Sequence, residues 1–70
     1  MIASQPSSLE EEATELLTTC HCNIAACALN AEQFALAEEH CRVVLGYHDR
    51  HPKATYRLGM ALMGQVIRNE

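Results

Sequence analysis

The 70-residue chain writes one helical pattern twice, 34 residues apart. The first copy is Cys22-Asn23-Ile24-Ala25-Ala26-Cys27-Ala28-Leu29, and the second is Lys53-Ala54-Thr55-Tyr56-Arg57-Leu58-Gly59-Met60-Ala61-Leu62. In both, an apolar residue (Ile24, Leu58) precedes a small one (Ala25, Gly59), and Ala28 or Leu62 follows three residues later. Asn23 and Arg57 therefore occupy equivalent places. A period of this length belongs to arrays of helix-turn-helix units, in which one unit cannot bury its apolar face alone and neighbours must stack on it.

The pattern between and around the copies predicts an all-α fold of three antiparallel helices over residues 8–31, 33–46 and 52–66. Residues 1–6 are polar and unpatterned, which predicts a disordered tail over residues 1–7. Ser7 or Ser8 offers an N-cap, and Glu10 or Glu11 three residues on would complete a capping box. Leu9, Ala13, Leu16, Leu17, Cys20, Ile24, Cys27 and Ala28 then recur at steps of three and four and read as the core stripe of the first helix. Phe34, Ala37, Cys41, Val44 and Leu45 form the stripe of the second, with Gly46 a natural terminator because it takes positive φ cheaply. Pro52 fits the first turn of the third helix, whose core face is expected at Thr55, Leu58, Leu62 and Val66.

With one Phe, two Tyr and no Trp, the core must come from aliphatic residues, Ala and Cys, which suits closely packed helices better than sheets. A chain this short buries only about 60% of its unfolded surface, so it needs stacking, a partner or a staple. The net charge of −4 argues against binding nucleic acid non-specifically. The charge is polarised, however: Glu10, Glu11, Glu12 and Glu15 crowd the start, while Arg50, His51, Lys53 and Arg57 gather later and suit an anionic partner. No run approaches the roughly 20 apolar residues of a membrane span, and the first residues lack the basic and apolar regions of a signal peptide, so the expected address is cytoplasmic.

These residues resemble the tetratricopeptide repeat of co-chaperones, especially the large immunophilins and the aryl-hydrocarbon-receptor-interacting proteins. The similarity covers about residues 16–64, from the Asn-Ile-Ala-Ala-Cys core through Phe34-x-x-Ala37 and His40-Cys41 to Lys53-Ala54-x-Tyr56-Arg57-x-Gly59. The resemblance implies one full repeat over about residues 18–51 and the first helix of the next over about 52–66, within a partial repeat domain over residues 8–70. It also implies a protein-interaction module rather than an enzyme, with no cofactor. Co-chaperones of this type hold the acidic C-terminal tail of a 90-kDa or 70-kDa heat-shock chaperone in a carboxylate clamp. Asn23 matches the clamp Asn of the second repeat, and Lys53 and Arg57 match the Lys and Arg of the third. The i, i+4 spacing puts Lys53 and Arg57 on one helix face, where both can meet a carboxylate. The groove is expected to be lined by Thr19, Cys22, Ala26 and Asn30 from one helix and by Tyr56 and Met60 from the other.

The family's clamp also uses a Lys and an Asn on its first repeat, and the 34-residue period would put both before Met1. About one and a half repeats are expected here, where such arrays usually need about three. The competing reading is therefore a structural or self-association element with a vestigial clamp and uncapped faces pairing between chains. Among the remaining candidates, Cys20, His21, Cys22, Cys27, His40 and Cys41 are zinc-ligand types, but their spacing departs from the usual two-residue gaps, and Cys20 and Cys22 point about 200° apart on a helix. Free, mostly buried thiols are expected instead, with Cys27 and Cys41 in the core. Tyr47-His48-Asp49-Arg50-His51 reads as a loop, and its His48 to His51 cluster suits a pH sensor that charges below about 6.5 and an exposed interhelix loop equally well. No Gly-rich phosphate loop, Gly-x-Ser-x-Gly elbow or paired nucleophile and base is present.

Overall fold

The computed structural model describes residues 5–69, with side chains from Leu9 onward. Three helices follow one another, α1 (Gln5–Asn30), α2 (Phe34–Tyr47) and α3 (Pro52–Arg68), and no strand occurs among the described residues. Two small core clusters fix their directions. One joins Cys22, Val44 and Ala54, and the other joins Ala28, Ala37 and Ala61. Going from the first cluster to the second, residue numbers rise in α1, fall in α2 and rise in α3, so α2 runs antiparallel to both neighbours and lies between them.

Residues 1–4 of the expected tail lie outside the described residues, while residues 5–7 already belong to α1. The expected caps at Ser7 and Ser8 are therefore overturned. Pro6 falls in the first turn, where proline is pre-set for helix and its missing N–H costs nothing, and this moves the start upstream.

The turn after α1 is closed by Gln33 N–H donating to the Ala28 carbonyl at 2.8 Å and Glu32 N–H to that of Leu29 at 3.0 Å, the paired bonds of a Schellman motif. Glu32 takes the left-handed conformation this needs, at φ 59. The second helix ends one residue after Gly46, within the expected range, but Gly46 is not its left-handed terminator. It lies within the helix without positive φ, and α2 continues to Tyr47, where His48 N–H donates to the Val44 carbonyl. Pro52 opens α3 as expected, behind His51, whose Nδ1 accepts from Ala54 N–H at 3.2 Å. Asn69 closes α3 in the left-handed region, at φ 63.

The stripe of α2 is buried as the sequence predicts, with Ala37, Cys41 and Val44 no more than 1% exposed and Phe34 and Leu45 half-buried. Of the stripes expected on α1 and α3, only Ala28 is buried. The buried positions of α1 are Thr18, Cys22, Ala25 and Ala28, while Leu9 and Leu16 are 68% exposed and Leu17, Cys20, Ile24 and Cys27 also face outward. In α3 the buried residues are Ala54, Ala61 and Gly64, and Thr55, Leu62 and Val66 are exposed. Only Leu58 of that expected face is half-buried.

The reason is close packing. α2 meets both neighbours through their small residues, which let helix axes approach, so the bulkier apolar rows about 100° around each helix are left outside. Length adds to this effect in α1. A 14-residue α2 spans roughly 21 Å at 1.5 Å per residue and cannot cover the 26 residues of α1.

Gly64 is the tightest of these approaches, since a Cβ there would lie 2.6 Å from Cγ of the Phe34 ring. Gly59 lies on the open side of the same helix with nothing within 4 Å of such an atom. Polar contacts tie the outer edge of the α2–α3 pair. Gln65 Nε2 and Arg42 Nε each donate to Glu38 at 2.7 Å, and Arg68 from α3 pairs with Glu32 of the α1–α2 turn. The hydrogen bond from Gln65, followed by that from Arg42, holds the Glu38 carboxyl below its ordinary value of 4.5.

Two outcomes test this packing. Gly64→Ala should lower stability by about 1–2 kcal/mol, the overpacking against Phe34 exceeding the gain in helix propensity, whereas Gly59→Ala should raise it by about 0.5–1 kcal/mol in the same urea titration. Because the folded Glu38 value is depressed, its contribution is complete above pH 4.5 and fades as pH falls through the folded value. Glu38→Gln should therefore flatten the fall of the thermal midpoint below pH 4.5.

Candidate functional site

The face carrying the sequence-matched residues is built where α3 crosses α1. Arg57, half-buried on α3, donates from Nη1 to the Cys22 carbonyl of α1 at 3.0 Å. This fastens the guanidinium to the backbone one residue before Asn23. Asn23 is exposed on α1, and Lys53 is exposed one turn before Arg57 on α3. Only one of the five guanidinium N–H groups is used by the carbonyl, so the rest remain available to an anion.

The other expected groove residues divide. Thr19, Asn30, Tyr56 and Met60 are exposed, with Tyr56 at 69%, and Ala26 is half-buried. Cys22 does not line an accessible groove: its side chain is 6% exposed and packs in the core with Val44 and Ala54. Its backbone carbonyl, rather than its thiol, is what the face uses. Thr19 also borders a depression of about 480 Å³ against the α2–α3 loop, together with Glu15, Thr18, Tyr47 and residues 48–51. The Thr18 hydroxyl beneath it is buried without a hydrogen-bond partner.

All four thiols are free, but their burial differs from the expectation. Cys22 and Cys41 are buried, whereas Cys20 and Cys27 are exposed. The Cys27 assignment to the core is thus overturned, because it belongs to the outward row of α1. Burial pushes the Cys41 thiol above its ordinary 9.0, with the neighbouring Cys22 adding to the rise and the Arg57 charge opposing it. Among the described residues, no group of three or more His, Cys, Asp or Glu side chains is gathered to hold a metal ion. The fold does bring His21 of α1 and His40 of α2 together, with Nδ1 to Nδ1 at 2.8 Å. Nothing in their 19-residue separation announces that pair. Among the described residues, no helix is long and apolar enough to cross a membrane.

Over 52 residues the chain is 36% identical to the peptidyl-prolyl cis-trans isomerase FKBP42 of Arabidopsis thaliana. The matched stretch covers 74% of this chain and 14% of that relative, so the chain spans about a seventh of the relative's length. The isomerase activity in the relative's name is a property of that longer protein. No protein-family model matches the chain, and no solved structure does.

Exposure predicts the order in which the thiols react. In the native protein, iodoacetamide should modify Cys20 and Cys27 promptly and Cys22 and Cys41 only after denaturant is added, with mass spectrometry of the digested chain identifying the sites.

Proposed function

We propose that this chain is a tetratricopeptide-like protein-interaction segment whose α1–α3 face receives an acidic C-terminal peptide. The observation that carries the reading is the Arg57 contact with the Cys22 carbonyl, which draws the cationic side of α3 against the helix that bears Asn23. Lys53 and Arg57 would meet the terminal and side-chain carboxylates of a peptide ending in Asp, and Asn23 would donate its amide to the same terminus. The C-terminal tail of a 90-kDa or 70-kDa heat-shock chaperone has this chemistry. The likeness to the peptidyl-prolyl cis-trans isomerase FKBP42 over 52 residues, in a chain whose described elements are all helices, supports an interaction role. The residues present would supply three donors, which suits weak binding.

A second reading rests on the outward apolar rows. Leu9 and Leu16 on α1 and Val66 and Ile67 on α3 are between 68% and 79% exposed, and their burial between copies would make the chain a self-association element. A concentration-independent monomer in sedimentation would overturn that alternative.

The two charged clamp residues differ in a way that sharpens the test. Lys53 is exposed, so Lys53→Ala should weaken a fluorescent acidic C-terminal peptide about 2–10-fold while leaving the thermal midpoint unchanged. Arg57→Ala should weaken the peptide and lower the midpoint together, because it also removes the tie to α1. Equal binding of the free-carboxylate and amidated peptides would sink the clamp.

A further inference from the structure

The His21–His40 contact lies outside the α1–α3 face and is not explained by it. Both rings are half-buried in the seam between α1 and α2, with centroids 5.0 Å apart and planes tilted by 30°. Their Nδ1 atoms face each other at 2.8 Å, the length of a hydrogen bond. The contact therefore needs one ring with its proton on Nδ1 and the other with Nδ1 bare. Among the described residues, neither ring has another hydrogen-bond partner.

Such a pair tolerates one added proton and not two. With one, an imidazolium donates from Nδ1 to the neutral ring and the contact persists. With two, each Nδ1 carries a proton, N–H is aimed at N–H, and two positive charges meet with no acceptor between them. The surroundings offer no relief. One turn to either side stand Leu17, Thr18, Ile24 and Ala25 on α1 and Leu36, Ala37, Val43 and Val44 on α2, none of which carries charge. Glu38 is committed to Gln65 and Arg42 at the α3 edge, and Glu39 is exposed about 200° around α2 from the buried Ala37. The adjacent Cys20, Cys22 and Cys41 are free thiols, not carboxylates. From α3, Arg57 sits on the carbonyl of Cys22, and its positive sign adds to the repulsion.

We infer that the His21–His40 pair is an acid-released clasp, which holds α1 against α2 while it carries no more than one added proton and parts the helices when both rings are charged. The sign follows from counting protons. Two separated imidazoles each charge below about 6.5, so the unfolded chain gains two protons there while the closed pair gains one. Because the unfolded chain then binds more protons, stability falls as pH falls, by up to about tenfold in the unfolding constant per pH unit. This window lies above that of Glu38, which acts below 4.5. The clasp is independent of whether the α1–α3 face receives a peptide.

The loop histidines supply the controls. Nδ1 of His51 accepts from Ala54 N–H at the start of α3, so a proton there also costs a bond, whereas a serine caps without titrating. The His48 ring lies with its centroid 6.1 Å from that of His51.

The experiment is urea unfolding of the full chain carrying His51→Ser, from about pH 7.5 to about pH 5, with and without His21→Asn or His40→Asn. An asparagine amide both donates and accepts, so it satisfies the remaining ring in either charge state. In the His51→Ser chain the unfolding constant should rise by up to about tenfold per unit below about pH 6, and each Asn substitution should flatten that rise, while His48→Ala should leave it in place. If His51→Ser does not fold, the same comparison is made in the wild-type chain, and if one Asn variant does not fold, the other decides. Nitrogen-15 NMR of the native protein at about pH 8 should show one of the two rings protonated at Nδ1 and the other at Nε2. The clasp is overturned if both rings carry the Nε2 proton, if both charge fully while the contact persists in the folded chain, or if stability falls equally with and without the Asn substitutions or follows His48.

Discussion

The structure depends on α2 being covered from both sides through small residues. Ala37 and Val44, each fully buried, belong to separate clusters that take one residue from every helix. Because the opposing positions are Cys22, Ala28, Ala54 and Ala61, the helices gain contact through backbone proximity rather than large side chains. That arrangement is sensitive to added volume, as the place of Gly64 against Phe34 illustrates. It also keeps the core small, with Val44 and Cys41 its largest fully buried side chains, so the polar ties at Glu38, Arg68 and Arg57 matter more than they would around a larger core.

Helix number and the breaks between helices were legible because turns and periodicity are local signals. The buried faces of α1 and α3 were not, and the 34-residue period explains the failure. Moving the buried positions of α1 (18, 22, 25 and 28) forward by 34 gives 52, 56, 59 and 62, all exposed. Moving those of α3 (54, 61 and 64) back gives 20, 27 and 30, also exposed. The two copies present opposite faces to one α2, since α1 packs on the helix that follows it and α3 on the helix that precedes it. A periodic pattern records both faces together. It does not record which one has a partner, and so Leu16, Ile24, Leu62 and Val66 read as core when they stand outside it.

The candidate face was legible to a similar depth. Helical spacing alone placed Lys53 and Arg57 on one side of α3, and the period related Arg57 to Asn23. What spacing could not reveal is that Arg57 spends one donor on a backbone carbonyl, because a carbonyl has no signature in the sequence. The same limit hid the contact between His21 and His40, which arises from the angle between two helices. It also obscured the division of the thiols, since Cys20 and Cys22 differ only in which side of α1 faces α2.

In the proposed reading Arg57 would link recognition to stability. Its charge is felt by the buried Cys41 thiol, where it opposes the rise that burial causes, so the guanidinium sits at the margin of the core rather than on a freely solvated surface. A half-buried cation with a single carbonyl partner keeps part of its desolvation cost uncompensated. An arriving carboxylate would offset that cost and strengthen the same α1–α3 contact that positions the cation. Peptide binding and helix docking would then reinforce each other, because any ligand that binds the folded form alone raises the free energy of unfolding. Lys53 has no such role: it extends into solvent and would contribute charge to the encounter without holding the fold. The two residues are alike in sign and lie one turn apart, yet only Arg57 joins the core to the surface.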